Sequence, residues 1–300
     1  MVFGKVAVLM GGKAAEREIS LQSGQAVTLA LQAQGVDATG VDVKSLDDLK
    51  EVASHYDRAF IALHGRWGED GVVQAILSDL GLPFTGSGMA ASAIAMDKLR
   101  TKWMWMGAGL STPQFVWVSD EMPLDIKAFN IPFPVIVKPS HEGSSIGMRK
   151  IDSIDQLEEA VVFAQQYDSE VLIEQWITGM EFTGAVLNGE ALSLIQLKTS
   201  HAFYDYEAKY QSNDTEYLCP CGLDSDLEKE LQLLVLKAFH VIGADAWGRV
   251  DLMLDEQNRP WLIELNTVPG MTDHSLVPMA AKATGRSFEQ LVVEILQTTL

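Results

Sequence analysis

The sequence predicts an α/β chain whose front part folds around a parallel sheet. Three observations lead there. Residues 6–10 form a short apolar run that breaks at Gly11-Gly12 and gives way to a helix ending near Gly35. Apolar runs at 38–43 and 58–63 follow, with a helical stretch between them. Residues 82–87 read as a short strand and turn leading into an Ala-rich helix over 90–96. Strands that alternate with helices pair in parallel, because each helix carries the chain back across the sheet.

The 300 residues suit two or three domains, and a hydrophobic content of 47% is enough for real cores. Lys+Arg 22 against Asp+Glu 41 leaves a net charge of −19. So acidic a chain suits neither nucleic acid nor an anionic membrane surface, so any phosphate must be held by local devices. The apolar runs are too short for a transmembrane helix. The first residues enter a strand directly, without a signal-peptide pattern. Cys219 and Cys221 are too close for an easy disulfide and lack the second pair that a zinc site needs. A cytoplasmic location is expected.

The opening turn, GGKAAE, lacks G-x-G-x-x-G, so a dinucleotide oxidoreductase is weakly supported. Glu16 stands where the first helix begins, and two readings stay open. It is a helix-start acid favoured by the macrodipole, or a ligand group at the carboxyl end of a strand. His64 closes the third strand, and Gly65, Gly68 and Gly71 behind it require a special backbone path. A strand-end position favours function over packing for this histidine. A domain boundary falls near Asp97-Lys98. The helix over 98–106 carries Trp103, Met104, Trp105 and Met106, read as core or interdomain packing.

A strand at 115–118, a helix, and a buried strand over 133–139 come next. The last delivers Lys138, which is costly to bury without an anion. Loop 140–147, SHEGSSIG, offers N–H and hydroxyl groups that can wrap phosphate oxygens, although it is not a Walker A loop. After a helix over 154–165, the strand over 170–177 ends in a mixed polar–apolar edge that can hold a purine, or is an ordinary edge strand. The strand starting at Met180 has 191–197 pairing behind it, with Asn188-Gly189 as the hairpin turn. Residues 199–214 form a loop too aromatic for disorder, either a lid over an active site or a packed surface loop. Helices over 227–241, 275–284 and 288–296 complete the chain, apart from one hairpin.

That hairpin joins 249–254 to 261–265. A symmetric turn sets Asp251 opposite Glu264 and Arg249 opposite Asn266, and side chains two apart share a face. Opposed carboxylates repel unless a cation sits between them. Asp, Glu and Asn oxygens suit Mg²⁺ rather than zinc. The alternative is a solvated face with stray acids.

The segments GGKAAEREIS, ALHGRWGEDG, FTGSGMAASAIAMDK, PVIVKPSHEGSSIGM, VLIEQWITGMEFT, FYDYEAKY, WGRVDLMLD and IELNTVPGMTDHSLVP span essentially the whole chain. In this order they resemble the D-alanine–D-alanine ligases of the ATP-grasp superfamily. The resemblance implies an α/β substrate domain over 1–97, then an α+β ATP-grasp fold of two β-sheet domains, 98–181 and 182–300, with a lid at 199–214. It implies ATP-dependent ligation of two D-alanines through an acyl phosphate, for peptidoglycan precursors, and a homodimer formed through the N-terminal domain. Other ATP-grasp carboxylate–amine or carboxylate–hydroxyl ligases, of the D-lactate or D-serine type, are the alternative, and Tyr210 in FYDYEAKY favours an amine.

Carried onto this sequence, the resemblance assigns Glu16 to the first substrate's ammonium, with Ser144 and Tyr210 completing its network. His64 lies beside that substrate. Ser275 and Leu276 bind the second carboxylate, and Arg249 with the Gly270 N–H stabilises the oxyanion. Lys98, Lys138, Ser145 and Lys209 contact phosphates, while Glu174, Trp176, Ile177 and Glu181 hold adenine and ribose. Asp251, Glu264 and Asn266 bind two Mg²⁺ (or Mn²⁺) ions. Departures fall at the nucleotide edge. Gln175 stands where many relatives have lysine, Met180 where many have proline, and residues 193–197 lack the expected strand pattern.

Overall fold

A computed structural model describes residues 3–198, 215–272 and 274–300. The proposed lid at 199–214, with Lys209 and Tyr210, lies outside the described residues. Three sheets organise the rest. The first is parallel, with β1 (Lys5–Gly11) between β2 (Asp37–Val43) and β3 (Arg58–Ile61). Val6, Ala7, Val8 and Leu9 are all buried, as expected of a central parallel strand covered on both faces. Phe84 extends this sheet by a parallel bridge to Ala59, which is the short strand expected near Leu82.

The second sheet is antiparallel, in the order β4 (Phe115–Val118), β7 (Val171–Gln175), β5 (Val135–Pro139), β6 (Arg149–Ile151). It differs from expectation in two places. Residues 171–175 are an interior strand and not an edge. No helix forms between Val118 and Val135. Pro123 and Pro132 interrupt the stretch, and Asp125 Oδ1 accepts from the Lys127 and Ala128 N–H groups at 3.0 and 3.3 Å, closing a single turn.

The third sheet runs β11 (Glu216–Leu218), β10 (Ile195–Lys198), β8 (Gly179–Leu187), β12 (Trp247–Asp255), β13 (Pro260–Asn266). The pair Glu190–Ala191 folds back on β8 through Asn188 and Gly189, at φ 49° and 79°, the left-handed geometry of a tight hairpin turn. Strand β8 runs unbroken through residues 181 and 182. In the β12–β13 pair, Asp251 faces Glu264 and Arg249 faces Asn266, as a symmetric turn requires. A bulge after Asp251 then shifts Leu252 onto Leu262.

Helix α1 (Arg17–Ala33) covers the parallel sheet, α2 (Leu46–His55), α3 (Val72–Asp79) and α4 (Met89–Met96) follow along the chain, and the final helix Phe288–Gln297 packs against α1, so the two ends of the chain share one core. Arg58 secures this closure by donating to Thr299 O at 2.8 Å. In the Trp/Met helix α5 (Lys98–Gly107), Trp105 alone of its Trp and Met residues is fully buried, donating to the Ala238 carbonyl at 3.0 Å, with Leu99 also buried on the helix. Trp103, Met104 and Met106 stay exposed, because the helix is covered on one side only. Trp247, fully buried, meets Phe60 at 6.4 Å between ring centres and so links β12 to β3. Trp247→Ala should lower unfolding stability by about 3–5 kcal/mol through lost burial and a cavity. A shift of the denaturant midpoint measures it.

Candidate active site

The carboxyl ends of β1 and β3 deliver the first group of site residues. After β1, Gly11 and Gly12 turn the chain, and Ser20 locks the turn. Its Oγ accepts from the Gly11 N–H at 2.9 Å and donates to Ala62 O at 2.7 Å. Glu16 is the N-cap residue of α1, yet its side chain makes no capping bond. It is 8% exposed, and Ser144 Oγ donates to it at 3.3 Å. Burial, with the nearby Glu69 charge, pushes the Glu16 carboxyl above its usual range. Among the described residues no lysine or arginine pairs with it. Gly65, at φ 69°, presses against this carboxylate, and a Cβ there would stand 2.4 Å from Glu16 Oε2. His64 Nδ1 donates to Val268 O at 3.0 Å, and its Nε2 faces Ser23 Oγ at 3.2 Å.

The hairpin supplies the second group. Arg249 grips Asp251 bidentately, Nε to Oδ1 and Nη2 to Oδ2, both at 2.8 Å. Thr183 Oγ1 donates to Asp251 at 2.6 Å, and Asn266 Nδ2 does so at 3.3 Å. The positive group against Asp251 is thus Arg249. Glu264 faces Lys98 Nζ at 3.6 Å, and that ammonium also donates to Glu142 O at 2.6 Å. Ser275 is the N-cap residue of the helix Leu276–Ala283, makes no side-chain capping bond, and its Oγ instead accepts from the Thr272 N–H at 2.9 Å. Gly270 lies so close that a Cβ on it would come 2.9 Å from Ser275 Oγ.

These groups line one cavity of about 460 Å³. It gathers Glu16, His64 and Ser144 on one hand, and Arg249, Glu264, Asn266, Gly270, Ser275 and Leu276 on the other. Asp251 stands behind Arg249. Ser145, at φ 60°, lies on the same loop as Ser144. Trp176 carries Lys150 Nζ 4.5 Å from its ring centre, Ile177 is buried, and Glu181 stands opposite Met253.

Glu174 sits apart from this cavity. It is fully buried between Lys102 and Lys138, with Lys102 Nζ 2.5 Å from Oε1 and Lys138 on Oε2. Lys102 also donates to Thr112 Oγ1 at 2.7 Å, which passes the chain on to Leu262 O at 2.9 Å. Burial would push the Glu174 carboxyl up, but the two lysine charges outweigh it and hold it below the usual range. The same burial draws the Lys102 ammonium down to about 8 against the pull of Glu174.

The sequence reading missed Lys102 and Glu69. Lys102 was legible as the residue one helical turn beyond Lys98 on the same face of α5. Glu69 lies within the glycine-rich stretch behind His64, with Oε1 3.3 Å from His64 Nδ1.

With this geometry in place, likeness to known proteins is informative. The family profile described as "D-ala D-ala ligase C-terminus" matches residues 104–297. A D-alanine–D-alanine ligase of Hydrogenovibrio crunogenus is 70% identical over 297 residues, covering 99% of this chain and 95% of that one. The chain belongs to the D-alanine–D-alanine ligase family. Its fold is that of the solved ligase from Bacillus anthracis, with a TM-score of 0.90 at 32% identity over 98% of this chain and 97% of that one. The Bacillus anthracis ligase complexed with ATP gives 0.89 at 30% identity, covering 99% and 97% of the two chains. The fold expected from the sequence, a parallel-sheet part followed by an ATP-grasp part, is therefore present.

Lys102→Met should destabilise the chain by about 3–5 kcal/mol, because it leaves Glu174 buried with one cation fewer. Adding Glu174→Gln should recover part of that loss, and chemical denaturation of both single variants and the double variant checks it.

Proposed function

We propose that this chain joins two D-alanines into D-alanyl-D-alanine, using ATP and releasing ADP and phosphate, for peptidoglycan precursor synthesis. One observation carries the reading. A single cavity holds Glu16, a buried carboxylate without a cationic partner among the described residues, together with Arg249, Glu264 and Asn266. An amino-acid ammonium beside Glu16 relieves the cost of its burial. The first D-alanine's carboxylate then attacks the γ-phosphate, forming an acyl phosphate as ADP leaves. The second D-alanine's amine attacks that carbon, the new C–N bond forms, and the C–O bond to phosphate breaks. Positioning and charge neutralisation supply the catalysis.

In this reading His64 borders the first substrate, and Ser144 with Tyr210 steadies Glu16. Ser275, as the N-cap of a helix, and Leu276 receive the second carboxylate where the helix dipole favours an anion. Arg249 and the Gly270 N–H face the oxyanion. Lys98, Lys138, Ser145 and Lys209 take phosphates, and Trp176, Ile177, Glu181 and Glu174 border the base and ribose. Glu174, buried with both carboxylate oxygens on lysines, serves the nucleotide by orienting Lys138, a role that its two ion pairs support.

Asp251, Glu264 and Asn266 would hold Mg²⁺ or Mn²⁺. Glu264 and Asn266 line the cavity with oxygens that suit a hard cation, whereas both Asp251 oxygens are held by Arg249, so Asp251 would join the set only by giving up part of that ion pair. Two such ions would neutralise phosphate charge. We further propose three structural units, 1–97, a central unit from 98, and a C-terminal unit whose start lies before Gly179, since β8 is one strand. A homodimer through the first unit and a cytoplasmic place follow from the same reading. Among the described residues no helix is long and apolar enough to cross a membrane.

Purified chain with ATP should release phosphate only when D-alanine is added, with a product mass of the dipeptide. Equal stimulation by L-alanine overturns the assignment. Glu264→Gln should cut turnover by at least about a hundredfold by removing a metal ligand. Near-normal turnover at saturating Mg²⁺ would remove Glu264 from the metal set.

A further inference from the structure

The first residues of loop 140–147 are held by a charge cluster that the proposed chemistry does not use. His141 Nδ1 lies 2.8 Å from Asp168 Oδ2, and its Nε2 lies 3.2 Å from Asp97 Oδ2. The His141 backbone N–H donates to the same Asp168 oxygen at 2.7 Å. Glu170 approaches Nε2 at 3.9 Å, and Arg100 pairs with Glu170 and, at 3.1 Å, with Asp97. Arg66 stands 3.9 Å from Asp168 and 2.8 Å from Glu142. A carboxylate only accepts, so a ring with both nitrogens on carboxylates donates from both and is an imidazolium. Asp97, His141 and Glu170 bring donor atoms within 4.8 Å of one another, but both ring nitrogens are engaged and Arg100 already balances the acids. The cluster is an ion network and not a metal centre.

We infer that His141 is a positioning residue: its imidazolium ties loop 140–147 to the start of α5 and to the 168–170 turn, and so holds Ser145 and, through the Glu142 carbonyl, the Lys98 ammonium in place for nucleotide phosphates, with Ser144 kept on Glu16. The links from clasp to site are short. The Lys98 N–H donates to Ser140 O at 3.1 Å, and Ser140 Oγ donates to Asp97 at 3.2 Å. Lys98 Nζ donates to Glu142 O, and Ser144 reaches Glu16. Ser144 and Ser145 sit at φ 53° and 60°, a left-handed backbone that persists in non-glycine residues only where the surroundings hold it. Asp168 and Asp97 raise the ring to about 9 from its ordinary 6.5. The clasp is therefore complete below the ordinary value and is lost as pH rises through about 9.

The inference rests on the ligase reading, and its test separates the two. Kinetics of D-alanine-dependent phosphate release are compared for the wild type, His141→Gln, His141→Arg and Asp168→Asn across neutral to alkaline pH, with thermal melts alongside. His141→Gln should raise KM for ATP by about tenfold or more, the effect of one lost charge-assisted hydrogen bond, and change KM for D-alanine less. Asp168→Asn should reproduce that split. His141→Arg, charged at every pH used, should restore ATP affinity and remove an alkaline loss centred near 9. An unchanged KM for ATP in folded His141→Gln, or an alkaline rise in KM for ATP centred near 9 that is the same in His141→Arg as in the wild type, overturns the inference; a limb centred near 8 belongs to Lys102. Should His141→Gln fail to fold, Asp168→Asn decides. A wild type without D-alanine-dependent release defeats the ligase reading instead, and calorimetric ATP affinity of the same variants still decides the role of His141.

Discussion

Carboxylates that are removed from water must be met by cations or hydrogen-bond donors, and in a chain of net charge −19 this requirement shapes the interior. Glu174 is met by Lys102 and Lys138, Asp251 by Arg249 and Thr183, and Asp97 with Asp168 by His141. Each of these networks joins elements distant in sequence, and the Glu174–Lys102 pair continues through Thr112 to Leu262 O, linking the second sheet to the third. Glu16 breaks the pattern. It is buried beside another acid, its own backbone N–H, the Ser144 hydroxyl and the nearby His64 only partly offset that burial, and its carboxyl is pushed up as a result. An unmatched buried acid is expensive unless a ligand supplies the missing charge, which makes Glu16 the residue whose environment says most about substrate.

The strand pairings convert these charges into a site. Antiparallel register sets Asp251 against Glu264 and Arg249 against Asn266, while β8 brings Thr183 beside Asp251 from the other side. The bulge after Asp251 confines this alignment to the cavity end of the hairpin. Beyond it, Leu252 and Leu262 return to the core. A register shifted by one residue would turn the acids inward and the leucines outward, so the core and the site enforce the same pairing.

Sequence patterns made much of this legible. The alternation of short apolar strands with helices announces the parallel sheet, and Asn188-Gly189 announces a hairpin of the third sheet. The Asp251–Glu264 pairing follows from a turn at 255–260 alone. Less legible were elements whose state depends on what covers them. The stretch after Val118 has residues compatible with a helix but forms a single Asp125 turn between prolines. Trp103 and Met106 look like core residues and are exposed, since hydrophobicity does not say which face of α5 finds a neighbour.

The sequence by itself determined the order of the elements, the family to which the chain belongs, and the residue types that its chemistry needs. Those are local or linear properties, carried by periodicity, turn residues and motif spacing. Only the tertiary structure decided which charge answers which. It set Arg249 on Asp251, enclosed Glu174 between two lysines, and placed Glu16 among Glu69, His64 and a serine hydroxyl with no lysine or arginine on it among the described residues. Coulomb attraction and desolvation depend on separations of a few ångströms between groups that can lie more than a hundred residues apart, as Glu16 and Ser144 do. Distances of that kind exist only once the chain has folded.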